Sequence, residues 1–262
     1  MMNLFYHSFH LVTFSPWPLF GSLSLIILML GMINWFNLYG ILMMINGKIL
    51  LLLIMYQWWR DIIRESTFQG NHTLKVLTGL RIGMLMFILS EVMFFFSFFW
   101  TYFHMFLSPS IEIGSFWPPI DLLVFDPFNI PLLNTLILLS SGVSITWCHY
   151  SILKKNYMNS KISILLTLFF GFLFILFQFM EYSESYYTMS DSVYGSIFFL
   201  ITGFQGLHVI IGSLFIFISM VRLIKLHYSL IHHFGFESAS WYWHFVDVGG
   251  LFLYLFIYWL SY

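Results

Sequence analysis

An all-α polytopic membrane protein is what this sequence predicts, on three observations. Residues 82–111 carry one charge, Glu91; residues 127–153, 162–180 and 192–221 carry none; residues 238–262 carry only Asp247. Each run reaches or approaches the roughly 20 apolar residues that a helix needs to cross the hydrocarbon layer. The chain is 60% hydrophobic and 8% charged with a mean hydropathy of +0.88, where globular domains carry about a quarter charged residues. Finally, nine of the ten Lys and Arg residues fall on one side once each is sorted by the stretch it flanks.

Polar breaks between apolar runs give seven spans in order. The first two, 16–36 and 40–60, stay separate because Asn34, Asn37, Gly40, Asn46, Gly47 and Lys48 rule out one long segment. The third, 76–107, is longer than a bilayer requires, so it tilts or projects. Spans 129–153, 160–182 and 191–224 follow, and 234–259 closes the chain. No internal repeat is visible, and the seven spans form one integral domain over residues 1–262.

Charge then orients the spans. Arg60, Arg64, Lys75 and Arg81 flank the 2–3 connection, Lys154, Lys155 and Lys161 the 4–5 connection, and Arg222 and Lys225 the 6–7 connection. The opposite connections hold Glu112, Asp121 and Asp126, then Glu181, Glu184 and Asp191, without a cation; Lys48 alone departs. The positive-inside rule puts the N-terminus on the cytoplasmic or matrix side and the C-terminus across the membrane.

Composition also excludes. A net charge of −1 provides no basic face for nucleic acid. One cysteine, Cys148, excludes an internal disulfide and any multi-cysteine zinc or iron–sulfur site. The opening MMNLFYHSFHLVTFSPWP lacks a basic n-region, a cleavage signal or an Arg-rich presequence, which implies insertion as made.

Two carboxylates lie inside spans. Glu91 is about 15 Å of helix beyond Arg81, and Asp247 about 18 Å beyond Gly235. Intramembrane acids are costly, so each is either a relay or ion site or a polar contact holding helices in register. Ten histidines raise a metal question. His208 and His244 sit inside spans, where imidazole could bind heme or copper, yet no HxxxH, HxxE or ExxH pair supports convergence. The alternative is interfacial histidines at 227, 232 and 233 and buried, hydrogen-bonded ones at 208 and 244. Segment 58–81 forms a cationic shelf beneath Trp58 and Trp59; it suits an anionic phospholipid or simply sets topology. The phenylalanines after Glu91 fit packing, and Gly203, Gly206, Gly212 and Ser213 permit close helix approach.

Four blocks carry a specific resemblance: YQWWRDIIRESTFQG (56–70), GLRIGMLMFILSEVMFFFSFFW (79–100), PLLNTLILLSSGVSITWCHYS (131–151) and HHFGFESASWYWHFVDV (232–248). TGFQGLHVIIGS (202–213) and SPWPLFGSLS (15–24) extend it over the chain. The sequence resembles subunit III of the heme–copper cytochrome c oxidases in its mitochondrial form. That resemblance implies a noncatalytic core subunit of respiratory complex IV in the mitochondrial inner membrane, with its N-terminus on the matrix side and its C-terminus on the intermembrane-space side. The seven helices would form a V of two bundles, the first two and the last five.

The same resemblance implies no cofactor on this chain, structural phospholipids in the cleft, and hemes and copper in subunits I and II. Partners would be subunit I as the main contact, subunit II, accessory nuclear-encoded subunits and a respiratory supercomplex. Its implied role is to support proton uptake and protect the oxygen-reducing centre during electron transport from cytochrome c. By the same resemblance Trp59, Arg81, Phe87 and Arg222 contact lipid, with His72 and Glu65, and Glu91 matches a buried reactive glutamate. Gln205 departs from a common His, Gly249-Gly250 from Val-Trp, and Ser238 and Ser240 from an Ala run. The competing reading is a stand-alone transporter or proton channel using Glu91 and Asp247.

Overall fold

The computed structural model describes residues 8–111, 114–120 and 122–262; Glu112 and Asp121, used above for orientation, lie outside the described residues. Seven α-helices run in order: α1 Trp17–Phe36, α2 Leu42–Thr67, α3 Leu74–Leu107, α4 Ile130–Leu153, α5 Tyr157–Ser183, α6 Val193–Ile224 and α7 Phe234–Leu253. A π-helical segment, Tyr254–Trp259, continues α7. No strand occurs among the described residues. Helices α1 to α6 are long and apolar enough to cross a membrane; α7 carries Glu237, His244 and Asp247 and depends on the apolar π segment to complete its length.

The chain divides into two compact units, residues 1–80 and 81–262. In the first, α1 and α2 form a hairpin whose tight connection uses left-handed backbone at Leu38 (φ 64°) and Gly40 (φ 119°). Two glycines let the helices meet backbone to backbone. A Cβ on Gly31 would lie 2.8 Å from the Met43 carbonyl carbon, and one on Gly47 2.6 Å from the Leu28 nitrogen. Small residues are what helix association in lipid demands, since apolar burial supplies no drive there.

A valine at Gly47 must therefore part the hairpin, at a cost of about 1–3 kcal/mol or more. Gly47→Val should sharply lower the amount of chain retained in membranes. Gly21→Val, whose nearest neighbour is Trp58 at 3.9 Å, should leave it unchanged. Equal levels for the two variants would refute this packing role.

Helix α2 corrects the expected boundary at residue 60, for it runs on to Thr67. The polar segment folds as helix because its hydroxyls are satisfied locally. Ser66 Oγ and Thr67 Oγ1 each donate to the Ile63 carbonyl at 2.8 Å. Trp17 Nε1 also donates to Asp61 Oδ2 at 2.8 Å, clamping the start of α1 to this extension. A membrane boundary and a helix boundary need not coincide. Gly70 (φ 64°) then turns the chain.

In the second unit, α4, α5, α6 and α7 build the buried bundle around Trp243, which is fully buried. Its indole fits a notch made by two missing side chains. A Cβ on Gly171 of α5 would stand 2.8 Å from Trp243 Cη2, and one on Gly212 of α6 2.9 Å from Cε3. The indole Nε1 donates to Ser141 Oγ of α4 at 2.8 Å, so one side chain ties four helices. The 81–107 part of α3 contributes a single stripe, Glu91, Phe95, Phe99 and Tyr102, at helical spacings of three and four. Most of its other large apolar side chains are exposed, as a lipid- or partner-facing surface requires.

Candidate functional site

Several ionisable groups inside the second unit pair with one another. Glu91 of α3 meets His208 of α6, with Nε2 3.0 Å from Oε2. His208 Nδ1 lies 2.6 Å from the Phe204 carbonyl, which can only accept, so Nδ1 carries the hydrogen. The Nε2–Oε2 contact then holds one proton, either as imidazolium with carboxylate or imidazole with carboxylic acid. Both forms are neutral overall, which suits a low-dielectric interior. Both ring nitrogens are committed, so His208 offers no lone pair to a heme or copper.

Asp247, buried on α7, approaches the α4 backbone because Gly142 has no side chain: a Cβ there would lie 2.6 Å from Oδ2. Ser141 Oγ stands 3.4 Å from Oδ1, and His244 Nδ1 3.6 Å from Oδ2. His244 corrects an expectation. Its side chain is 40% exposed rather than buried, because its position on α7 turns it to the edge of the seam that Asp247 and Trp243 fill.

At the end of the bundle where α4 finishes and α7 begins lies a second group. Arg81 donates to Glu237 through Nε (3.1 Å, Oε2) and Nη2 (3.2 Å, Oε1). His233 Nε2 is 3.1 Å from Glu237 Oε1 and 3.2 Å from His149 Nε2. Ligand atoms of His149, His233 and Glu237 all lie within 4.8 Å of one another, the group among the described residues with the chemistry to hold a divalent ion. The sequence search missed this convergence, since His149 and His233 are 84 residues apart and belong to different helices. In the structure those atoms bond each other, and Arg81 already neutralises the carboxylate.

The residues named for lipid contact distribute over both units. In the first, Trp59 is 53% exposed, and Glu65 accepts from or shares a proton with His10 Nε2 at 3.2 Å. The His72 ring lies 6.3 Å from that of His10. In the second, Phe87 is half exposed and stacks on Tyr242 at 6.2 Å. Arg222 lies 4.8 Å from the centre of the Tyr228 ring. Its Nη1 occupies the space where a Gly235 side chain would stand, so that glycine makes the guanidinium's seat. Burial, then Arg222 and Lys225, hold the His227 imidazole below its usual pKa, and burial with Arg222 does the same to His232. Around His227 and His232 the positive charge is therefore that of Arg222 and Lys225.

Two buried acids went unremarked as sites in the sequence. Glu237 stands in the first turn of α7, where the helix dipole favours an anion. Glu181, counted above among the loop charges, is 2% exposed on α5 and accepts from the Tyr258 hydroxyl. Their positions near span ends hid them. The departures at 205, 249 and 250 turn out to be neighbours: Gln205 Oε1 lies 3.2 Å from a Cβ on Gly249, and its Nε2 3.2 Å from one on Gly250.

Fold and site together define an integral helical membrane protein in which Glu91 and Glu237 pair with basic side chains of the same chain. The model of the family described as Cytochrome c oxidase subunit III matches residues 7–262. Relatives named "Cytochrome c oxidase subunit 3" include one from Heterololigo bleekeri, 55% identical over 96% of this chain and 97% of its own length. Those of Drosophila melanogaster and Salmo salar are 52% and 53% identical, each over 97% of both chains. The chain belongs to the cytochrome c oxidase subunit III family.

Proposed function

We propose that this chain is the noncatalytic third subunit of cytochrome c oxidase, complex IV, in the mitochondrial inner membrane. Its N-terminus faces the matrix, it packs against subunit I, and it retains phospholipid while electron transfer and oxygen reduction proceed on other subunits. In that role it supports proton uptake and protects the oxygen-reducing centre. The observation that carries the reading is the family match across nearly the whole chain. The internal pairings agree with it. Glu91 ends on His208 and Asp247 lies against Ser141 and His244, an arrangement that joins helices. A relay would need acids succeeding one another along a path.

Arg222 offers the cleaner test of lipid retention, because Arg81 also neutralises Glu237 and its loss would disturb the bundle. The complex carrying Arg222→Ala should lose anionic phospholipid on purification and inactivate faster during turnover. Unchanged lipid content by mass spectrometry, with unchanged inactivation kinetics, would oppose the lipid role. For the channel reading, the decisive experiment is proton flux through the isolated chain in liposomes. No flux above empty vesicles is expected; flux abolished by Glu91→Gln would overturn the subunit reading.

A further inference from the structure

A cavity of about 30 Å³ lies inside the second unit, walled by α4, α5, α6, α7 and the π segment. It is polar on several sides. Asn134 (5% exposed), Gln205 (2%) and Glu181 (2%) all line it. No protein group donates to Asn134 Oδ1 or to Gln205 Oε1, although both atoms are shielded from solvent. The opposite end of the Gln205 amide is fixed, for its Nε2 donates to the Val246 carbonyl at 2.8 Å. Gln178 and Thr202 complete the wall and satisfy each other, with Gln178 Nε2 2.6 Å from the Thr202 carbonyl.

Glu181 has acceptor capacity beyond the one bond it takes from Tyr258. Leaving a buried carbonyl oxygen unpaired forfeits the hydrogen bonds it makes in water. Two shielded amide oxygens without a donor call for an occupant that donates. The volume admits about two waters, at roughly 10–15 Å³ of such space for each.

Local backbone features keep the space open. A Cβ on Gly250 would lie 2.7 Å from Leu138 Cδ1 and 3.2 Å from Gln205 Nε2, so any side chain there would displace a wall of the cavity. The π-helical segment shifts the register of the last helix and brings the Tyr258 hydroxyl onto Glu181; such segments recur at functional sites.

We propose that this cavity is a built hydration site within the bundle. One or two waters donate to Asn134 Oδ1 and Gln205 Oε1 and reach the Glu181 carboxyl. The waters join α4 to the wall of α5 and α6, which Gln178 and Thr202 already bind to each other, and they place a hydrated carboxyl inside the bundle.

Radiolytic hydroxyl-radical labelling of the intact oxidase complex tests this, because radicals form at bound internal water. Tyr254 (9% exposed) and Tyr258 (5%) line the cavity, whereas Tyr228 (8%) and Tyr242 (3%) are about as buried and do not. The first pair should label several-fold faster than the second if water stands at the cavity. Asn134→Leu, which fills the space, should bring Tyr258 down to the rate of Tyr242. Should that variant fail to assemble, the comparison among wild-type tyrosines decides alone. Equal rates for both pairs would overturn the proposal. So would labelling that changes when sodium replaces potassium in the buffer, since the occupant would then be a metal cation.

Discussion

Replacing Trp243 with alanine is expected to remove about 3–5 kcal/mol of stability, the range for deleting a large buried aromatic. The effect should reach the upper end of that range for three reasons visible in the structure. The indole fills a notch between Gly171 and Gly212 that no neighbour can collapse into without moving two helices. Its loss takes a donor from Ser141 Oγ, which also stands 3.4 Å from Asp247. In lipid, moreover, packing and hydrogen bonds supply most of what holds helices together. Trp243→Phe keeps much of the contact and loses the Nε1 bond, so about 1 kcal/mol of the deficit should remain. Thermal inactivation of the solubilised complex, with the amount of chain in membranes, measures both. A Trp243→Ala complex as stable as wild type would show that the bundle does not close on this side chain.

The second large effect is expected at Glu237. Truncation to alanine leaves the Arg81 guanidinium and the His233 imidazole facing each other across a space with no anion. Breaking a buried charge pair typically costs 3–5 kcal/mol. Here Arg81 is 44% exposed and water screens part of its charge, so about 1–3 kcal/mol is expected. A double-mutant cycle isolates the interaction. Arg81→Ala and Glu237→Ala should each destabilise, and the double variant should cost clearly less than their sum. Strictly additive losses would mean that the two groups stabilise the chain independently.

These two sites also show what a sequence can and cannot reveal. The helices were readable because an uncharged run of lipid-spanning length has few folded alternatives. Thus 129–153 and 191–224 fall within two residues of α4 and α6. The end of α2 was misplaced, because charge and hydroxyl groups mark where lipid stops, not where the helical hydrogen bonds stop.

Pairings across the bundle were invisible for a different reason. Glu91 and His208 are separated by 117 residues, and Arg81 and Glu237 by 156. Which faces meet is decided by the rotation of each helix about its axis, and in these helices apolar residues surround the axis almost evenly, so periodicity gives little orientation. His149, His233 and Glu237 could be recognised as a group only once α4 and α7 were side by side. The glycines carried a readable signal of close approach at Gly212, but the partner, Trp243, was not readable.

The subunit assignment itself is tested by purifying the chain from its native membrane in mild detergent. Mass spectrometry identifies what accompanies it, and an optical spectrum is taken before and after the chain is separated. It should co-purify with heme-bearing oxidase subunits and show no Soret band of its own once isolated. A Soret band that stays with this polypeptide, or a chain recovered from the membrane without those subunits, would contradict the account.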